Sequence, residues 1–448
     1  MRSEKRWVAV FLVIVALWAL VLASTIYPWL EGIEILVNTE INLTYVTAPL
    51  LAFYLLYVVL LIFIYIFYLG VAGKVRNHQL MTTSTALQNE LCSIVIPARD
   101  EAAVIKRTVM NCLQQTHRNL EVIVVCHNCS DDTFEQAEID DPRVRVYELD
   151  TEEAGKGIAL NFGIEKSRGD YILVLDGDGL LAYDFIEKAL PLFQEGNAAV
   201  QGRYISSNRN FNFVTRMLSL EGDLWSTPFM TIRSHFGRRT PLGGTGYIIR
   251  KDILAKVGMF ANHLVDDYEL TFRLLRNHYK IAFAPLSINY DEKPPTMGST
   301  FRQRARWGRG FMNLLSARVA QRSDFIGNIY SLNPIAAIAG LILLLIPAYS
   351  AVHYLIFDYY PYTYSYIPLN IWLVLTAALF SLQAAVLIKQ YRAKGIAYAL
   401  QIIPLIPFSH YWFVTFMKAF SVKSWANTKT THGFTKDTPI KRIISDAA

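Results

Sequence analysis

Long uncharged stretches lie towards both ends of the chain, with a more polar stretch between them. The uncharged runs cover residues 8–30, 48–72, 329–357, 359–388 and 395–417. About 20 apolar residues suffice for a helix to cross a bilayer. Five runs of that length predict membrane-spanning helices rather than core helices of a soluble protein. The last run contains Pro404, Pro407 and His410, which predict a broken or re-entrant segment. The first follows Arg2, Lys5 and Arg6, as a signal peptide would. It is longer than a typical signal core and another span follows soon after, so it is read as a retained helix.

Between residues 90 and 325 the pattern changes to short apolar runs alternating with amphipathic ones. Strands are expected at 92–97, 120–126, 144–149 and 171–175, and helices at 102–115, 130–137 and 157–167, with Ser130 as the N-cap of the second. Strands and helices alternating at this spacing predict βαβ units and a mostly parallel, Rossmann-like sheet. Ligands of such sheets bind beyond the carboxyl ends of the strands. Functional residues are therefore expected just after Ile96, Cys126 and Leu175.

Composition sharpens this division. The chain is 53% hydrophobic and 18% charged, too apolar for an ordinary soluble protein of 448 residues. Lys and Arg flank the runs unevenly. Lys74, Arg76, Lys389, Arg392 and Lys394 fall on one side, whereas residues 31–47 and 358–366 have neither Lys nor Arg. By the positive-inside rule the N-terminus and central domain are cytosolic. The basic C-terminal tail also points to the cytosol, although five complete crossings would place it outside. The expected organisation is two membrane helices in 1–73, a cytosolic domain in 74–328 with interfacial helices near its end, membrane helices in 329–420 and a cytosolic tail in 421–448. This makes a multi-pass protein of the cell membrane. A net charge of +6 suits anionic headgroups and a substrate diphosphate, and gives no sign of nucleic-acid binding. All four cysteines lie within 92–129. Cys126 and Cys129 could form a redox pair or half a zinc site, but no second ligand pair completes one, and buried thiols are the simpler expectation.

Several polar clusters fall where the sheet would place ligands. Strand 171–175 runs into Asp176-Gly-Asp178, which reads either as a turn or as carboxylates holding a hard divalent cation against a diphosphate. Strand 92–97 runs into P-A-R-D-E at 97–101, and strand 120–126 into C-H-N-C-S-D-D at 126–132. Lys156 stands between two glycines, where it could approach a phosphate as a point charge. Asp266 and Asp267 open a helix, either as first-turn carboxylates favoured by the helix dipole or with one as general base. Q-R-A-R-W at 303–307 reads as a surface helix or as a cation and aromatic platform.

The ordered set P-A-R-D-E, H-N-C-S-D-D-T, A-G-K-G-I-A-L-N, D-G-D, G-G-T-G, V-D-D-Y-E-L and Q-R-A-R-W resembles the inverting, membrane-integrated family two glycosyltransferases. That group includes cellulose, hyaluronan and poly-N-acetylglucosamine synthases. The resemblance covers residues 90–320 and extends loosely to the flanking spans. It implies an α/β GT-A-type cytosolic domain joined to an α-helical transmembrane region, using Mg2+ or Mn2+. It places Glu101, His127, Asn128, Asp131 and Asp132 at the nucleoside, Lys156 and Asp176 at the nucleotide, and Asp178 on the metal. Gly243, Gly244 and Thr245 would shape the acceptor pocket, Asp267 would be the base, and Gln303, Arg306 and Trp307 would hold the diphosphate and acceptor end. His127 departs from relatives that often carry an acid there, and Asp266 replaces the more frequent Glu. The tail at 424–433 is similar to the Trp- and Thr-containing cytosolic tail of some such synthases.

The implied activity moves a sugar from a nucleotide-sugar donor, UDP-GlcNAc or UDP-Glc, to a growing β-linked polysaccharide. The alternatives are a single transfer to a lipid-linked acceptor, or a transporter or scaffold with a degenerate transferase domain.

Overall fold

The computed structural model describes residues 41–42, 44–82, 87, 89–316, 362–363 and 369–422, with scattered positions between 335 and 356. The expected span at 8–30 and the tail at 424–433 lie outside the described residues, and 329–357 is described only in part. The chain divides into two units, Met1–Ile66 with Asn328–Lys418 and Phe67–Gly327 with Ala419–Ala448. Helix α1 (Thr44–Met81) runs through the point of division.

The second unit is built on an eight-stranded sheet. Its first half is β1 (Cys92–Ala98), α2 (Ile105–Leu113), β2 (Leu120–His127), α3 (Thr133–Ala137), β3 (Val144–Leu149), α4 (Lys156–Lys166) and β4 (Tyr171–Val174). These strands pair in parallel in the order β3-β2-β1-β4. Strands β1, β2 and β4 are buried on both faces, which explains their largely apolar runs, whereas the edge strand β3 is half-exposed and carries Arg145 and Glu148. Ile94 and Ile96 of β1 enter one buried cluster, while Val95 between them enters the other.

The second half is β5 (Leu180–Leu181), α5 (Phe185–Ala189), β6 (Asn197–Ser206), α6 (Phe213–His235), β7 (Tyr247–Arg250), α7 (Lys251–Lys256), α8 (Asp266–Arg276), β8 (Lys280–Asp291) and α9 (Met297–Ser316). The sheet continues from β4 as β7-β6-β8-β5. Three of its seven pairings are antiparallel, so the sheet is mixed; beyond the first four strands, β6 and β8 also pair in parallel. The reversal begins at β7, whose Tyr247 lies opposite Val174, the last residue of β4. The segment leading into β7 therefore arrives where β4 ends.

Two local expectations change. Helix α3 starts at Thr133 rather than Ser130, because the Ser130 amide and hydroxyl both donate to Asp100, at 2.6 and 2.9 Å. The Asp-Gly-Asp segment forms a turn, with the Gly179 amide donating to the Asp176 carbonyl at 3.0 Å. It is not a hairpin, since β5 pairs with β8 at the far edge of the sheet. The four cysteines are free thiols, three of them buried.

Helix α4 packs closely on the parallel half. A Cβ at Gly163 would stand 2.5 Å from Val95 Cγ1 and 3.1 Å from Val125 Cγ2. The Gly163→Ala variant gains about 0.5–1 kcal/mol of helix propensity but should lose about 1–3 kcal/mol to overpacking. A net fall in melting temperature is expected, and an unchanged or higher value would contradict this packing.

In the first unit, α10 (Leu369–Tyr391) is followed by α11 (Ala393–Ala399), α12 (Ile402–Ser409) and α13 (Tyr411–Ala419). Run 395–417 is thus three short helices, with breaks at Leu400–Gln401 and His410, while Pro404 and Pro407 lie inside α12. Among the described residues, Ala48–Met81 and Val374–Tyr391 are long and apolar enough to cross a membrane, by length and composition. Large apolar side chains on them face outward, including Leu56 and Val374, each 68% exposed.

Candidate active site

The site grows from the turn that follows β4. The Asp176 amide donates to Thr245 Oγ1 at 2.9 Å, and Thr108 Oγ1 of α2 donates to the Gly177 carbonyl at 2.8 Å. These bonds fix the turn from two sides. A Cβ at Gly177 would stand 3.0 Å from Glu101 Cγ. The turn ending β4 and the loop ending β1 are therefore in contact.

Lys156 reaches this turn from the start of α4. Its Nζ donates to Asp176 Oδ1 at 2.5 Å and to the Gly244 carbonyl at 2.6 Å. The flanking glycines admit a neighbouring chain segment. A Cβ at Gly157 would lie 2.6 Å from the Ala261 carbonyl oxygen, and one at Gly155 would overlap Asn262. The segment at 261–262 leads directly into α8.

Asp266 and Asp267 occupy the first turn of α8. The Tyr268 amide donates to Asp267 Oδ1 at 2.9 Å. A Cβ at Gly244, whose φ is +81°, would stand 3.4 Å from Asp267 Oδ2, so the glycine loop lies against this carboxylate. Burial first, and then the neighbouring Asp266, push the Asp267 carboxyl up to about 7, while Lys156 and Arg306 oppose the rise. Burial also raises Asp266, whose Oδ2 is buried without a hydrogen-bond partner. Burial disfavours the Lys156 ammonium, but Asp176, Asp266 and Asp267 outweigh it and hold its pKa above the ordinary value. Lys156 and the pair Asp266 and Asp267 thus bias one another's protonation.

Helix α9 supplies Arg306, half-buried, which donates to the Leu264 carbonyl at 2.8 Å just ahead of α8. Burial pulls its guanidinium down, and Asp266, Asp267 and Asp176 hold it up. Trp307 packs with Val265, Phe272 and Leu314. One face of its ring carries the Arg304 guanidinium at 4.1 Å, and Arg304 pairs with buried Glu221 of α6 at 3.6 Å. Gln303 is half-exposed on the same helix.

At the ends of β1 and β2, His127 is buried, with its ring Nε2 2.7 Å from Thr151 Oγ1, and burial lowers its pKa. The Asn128 side chain donates to the Thr151 carbonyl and accepts from its amide, each at 2.9 Å. Asn128 has φ +50°, a left-handed conformation that Asn tolerates. Asp131 and Asp132 are exposed. Asp131 accepts from the Ala102 amide at 3.3 Å, and Thr133 Oγ1 accepts from the Glu101 amide at 2.7 Å. The structure therefore brings Lys156, Asp176, Gly244, Asp266, Asp267 and Arg306 into one cluster. Glu101 adjoins it through Gly177, and the residues at 127–132 line the neighbouring strand ends.

Asp176 and Asp178 offer carboxylate oxygens, half-exposed on a fixed turn, which is a donor type that fits a hard divalent cation. The Asp178 charge also acts on Arg107 of α2. Ligand-type atoms of Asp100, Cys129 and Asp131 lie within 4.8 Å of one another as well. Ser130 and Ala102 already donate to those carboxylates. Sequence reading missed Thr108, Thr151, Gln201, Tyr204 and Tyr247. Burial, then the Asp267 carboxylate, raises the Tyr204 phenol, and burial followed by Asp266 does the same to Tyr247. A polar residue inside the apolar strand A-A-V-Q-G was the one signal for Gln201.

Residues 90–310 match the family model described as "Glycosyltransferase like family 2". The chain is 30% identical over 240 residues to a probable glycosyltransferase, YdaM, of Bacillus subtilis, covering 51% of this chain and 57% of that one. It is 30% identical over 228 residues to the β-monoglucosyldiacylglycerol synthase of Trichormus variabilis, covering 49% and 48%. The chain thus spans about half the length of the curated relatives it matches. Among solved structures it is similar to the mannosyltransferase PcManGT of Pyrobaculum calidifontis in complex with GDP-Man and Mn2+. That likeness has 17% identity and a TM-score of 0.48, covering 82% of this chain and 99% of that one. Residues 90–310 thus match the glycosyltransferase-like family 2 and fold into a GT-A-like mixed sheet.

Proposed function

We propose that the chain is an inverting glycosyltransferase that moves a sugar from UDP-GlcNAc or UDP-Glc to a growing β-linked polysaccharide at the membrane. One observation carries the reading: the half-buried carboxyl of Asp267, raised to about 7, sits in one cluster with Lys156, Asp176 and Arg306. A general base works best with a pKa near the operating pH. Asp267 takes the proton from the acceptor hydroxyl as that oxygen attacks the anomeric carbon. Lys156 and Arg306 place positive charge where the leaving diphosphate gains negative charge. Glu101 and the segment at 127–132 bind the nucleoside, and Asp176 orients it through the fixed turn. Gly243, Gly244 and Thr245 shape the acceptor pocket, and Gln303 and Trp307 hold the acceptor end. Asp178, with Asp176 beside it, would hold Mg2+ or Mn2+, which when bound screens the charge developing on the diphosphate.

The outward-facing apolar helices and the distribution of Lys and Arg support a multi-pass protein of the cell membrane. In this arrangement residues 1–73 and 329–420 lie in the bilayer, the domain at 74–328 is cytosolic, and so is the tail at 421–448. A second reading, single transfer to a membrane lipid, is supported by the 30% identity to a β-monoglucosyldiacylglycerol synthase. The test is incubation of the full chain in lipid with labelled UDP-GlcNAc, UDP-Glc or GDP-Man and Mg2+ or Mn2+, followed by sizing of the product. A polymer is expected. One added sugar on a lipid would favour the second reading, and no transfer from any donor would defeat both.

The rate should also report Asp267. Its carboxylate form dominates above about pH 7 and is protonated below, so kcat/KM should fall about tenfold per pH unit on the acid side. Initial rates from about pH 5.5 to 8.5 check this, and a flat profile would exclude a base with this pKa.

A further inference from the structure

Gln201, wholly buried on β6, makes four side-chain hydrogen bonds, three of them to the glycine loop at 243–246. Its Oε1 accepts from the Gly243 amide at 3.0 Å, and its Nε2 donates to the carbonyls of Thr245 at 3.2 Å and Gly246 at 3.0 Å. Tyr204, also on β6, donates to the same Thr245 carbonyl at 3.0 Å. A Cβ at Gly243 would overlap the Tyr204 hydroxyl, so the loop is pressed against this strand.

Residues three apart on a regular strand point to opposite faces. Gln201 and Tyr204 both reach the loop because the pairing of β6 with β8 slips between Gly202 and Arg203. Irregularities of this kind re-aim side chains beside active sites.

From the loop the connections run outward. Thr245 Oγ1 holds the Asp176 amide, the Gly244 carbonyl holds Lys156, and Gly244 borders Asp267. We propose that Gln201 and Tyr204 are positioning residues: they clamp the 243–246 loop, and through it set Lys156 and Asp176 against Asp267. The inference rests on the transferase reading for its kinetic consequence, but the clamp itself is testable without it.

Gln201→Glu keeps size and the acceptor for the Gly243 amide, while turning oxygen towards the carbonyls of Thr245 and Gly246. Tyr204→Phe removes one hydroxyl and nothing else. The full chain in lipid is used for both. Hydrogen exchange of a peptide spanning 242–247 should quicken about tenfold in each variant, with peptides from β1 and β2 unchanged. UDP with Mn2+ should bind with wild-type stoichiometry, and its affinity and the donor KM should weaken by no more than about threefold, far less than kcat falls in Gln201→Glu. The kcat should drop about 100-fold in Gln201→Glu and about tenfold in Tyr204→Phe, in line with small misplacements of catalytic groups. Unchanged exchange in Tyr204→Phe overturns the clamp. Changed exchange with wild-type kcat in an active enzyme overturns its role in positioning, as does loss of binding sites in parallel with kcat. Quickened exchange in a chain whose wild type transfers no sugar leaves the clamp standing and removes the transferase reading alone.

Discussion

Asp267→Asn should lower kcat by about a thousandfold while leaving nucleotide binding intact, an effect within the range of a lost general base. Asparagine has the same shape, and its Oδ1 can still accept from the Tyr268 amide that bonds Asp267 at 2.9 Å. What disappears is the ability to take a proton. The substitution also removes one of two adjacent carboxylates that loss of solvent raises, Asp266 buried and Asp267 half-buried. The melting temperature should therefore hold or rise, which separates loss of chemistry from loss of fold. Calorimetry with UDP and Mn2+ alongside a single-turnover assay is the decisive pair of measurements. Wild-type turnover would remove Asp267 from the role, and a lost binding signal would make it a donor-site residue instead.

Lys156→Met should act on the other half of the reaction. Lys156 bonds Asp176 and Gly244 at once and, together with Arg306, favours the charged forms of both Asp266 and Asp267. Methionine matches its length without its charge. Three carboxylates then face one another without the ammonium, and a diphosphate has lost its nearest cation on α4. Affinity for UDP with Mn2+ is expected to weaken about 100-fold, or about 2.8 kcal/mol. The acid limb of the pH–rate profile should move to higher pH. The sign follows from Lys156 favouring the charged form of Asp267; without it, deprotonation is harder and the active form appears later. Unaltered affinity together with an unmoved limb would detach Lys156 from the site.

The parallel half of the fold was legible because β1, β2 and β4 are largely apolar, buried runs that lead into polar clusters, while β3 at the edge is more polar and half-exposed. The remaining strands were not. Strand β8 mixes Lys280, Ser287 and Asn289 with apolar residues, and its partners β6 and β5 lie far away in sequence. No local pattern reports such pairing. The same limit applies inside the site. Asp176, Lys156 and Asp267 each stood out from their neighbours, but their bonding spans long stretches of chain and depends on glycines whose purpose appears only when segment 261–262 is in place. Reading Asp-Gly-Asp as either a turn or a ligand pair posed a false choice, since the turn is what presents the carboxylates. Ser130 misled as a cap because Asp100, brought in by a different strand, outbids the helix for its hydrogen bonds.

Because β7 runs against β4, the loop before β7 meets the end of β4 at one edge of the sheet. In an all-parallel sheet that loop would emerge at the opposite edge. The pocket is consequently assembled from two stretches of chain that enter it from opposite directions, one ending near residue 178 and one beginning near 243. Under the proposed function, drift in the 243–246 loop would remodel the acceptor pocket while the segments ending at 101, 132 and 178 go on binding the nucleotide. Divergence of products within a lineage then needs no change in the energy source of the reaction, only in its second half.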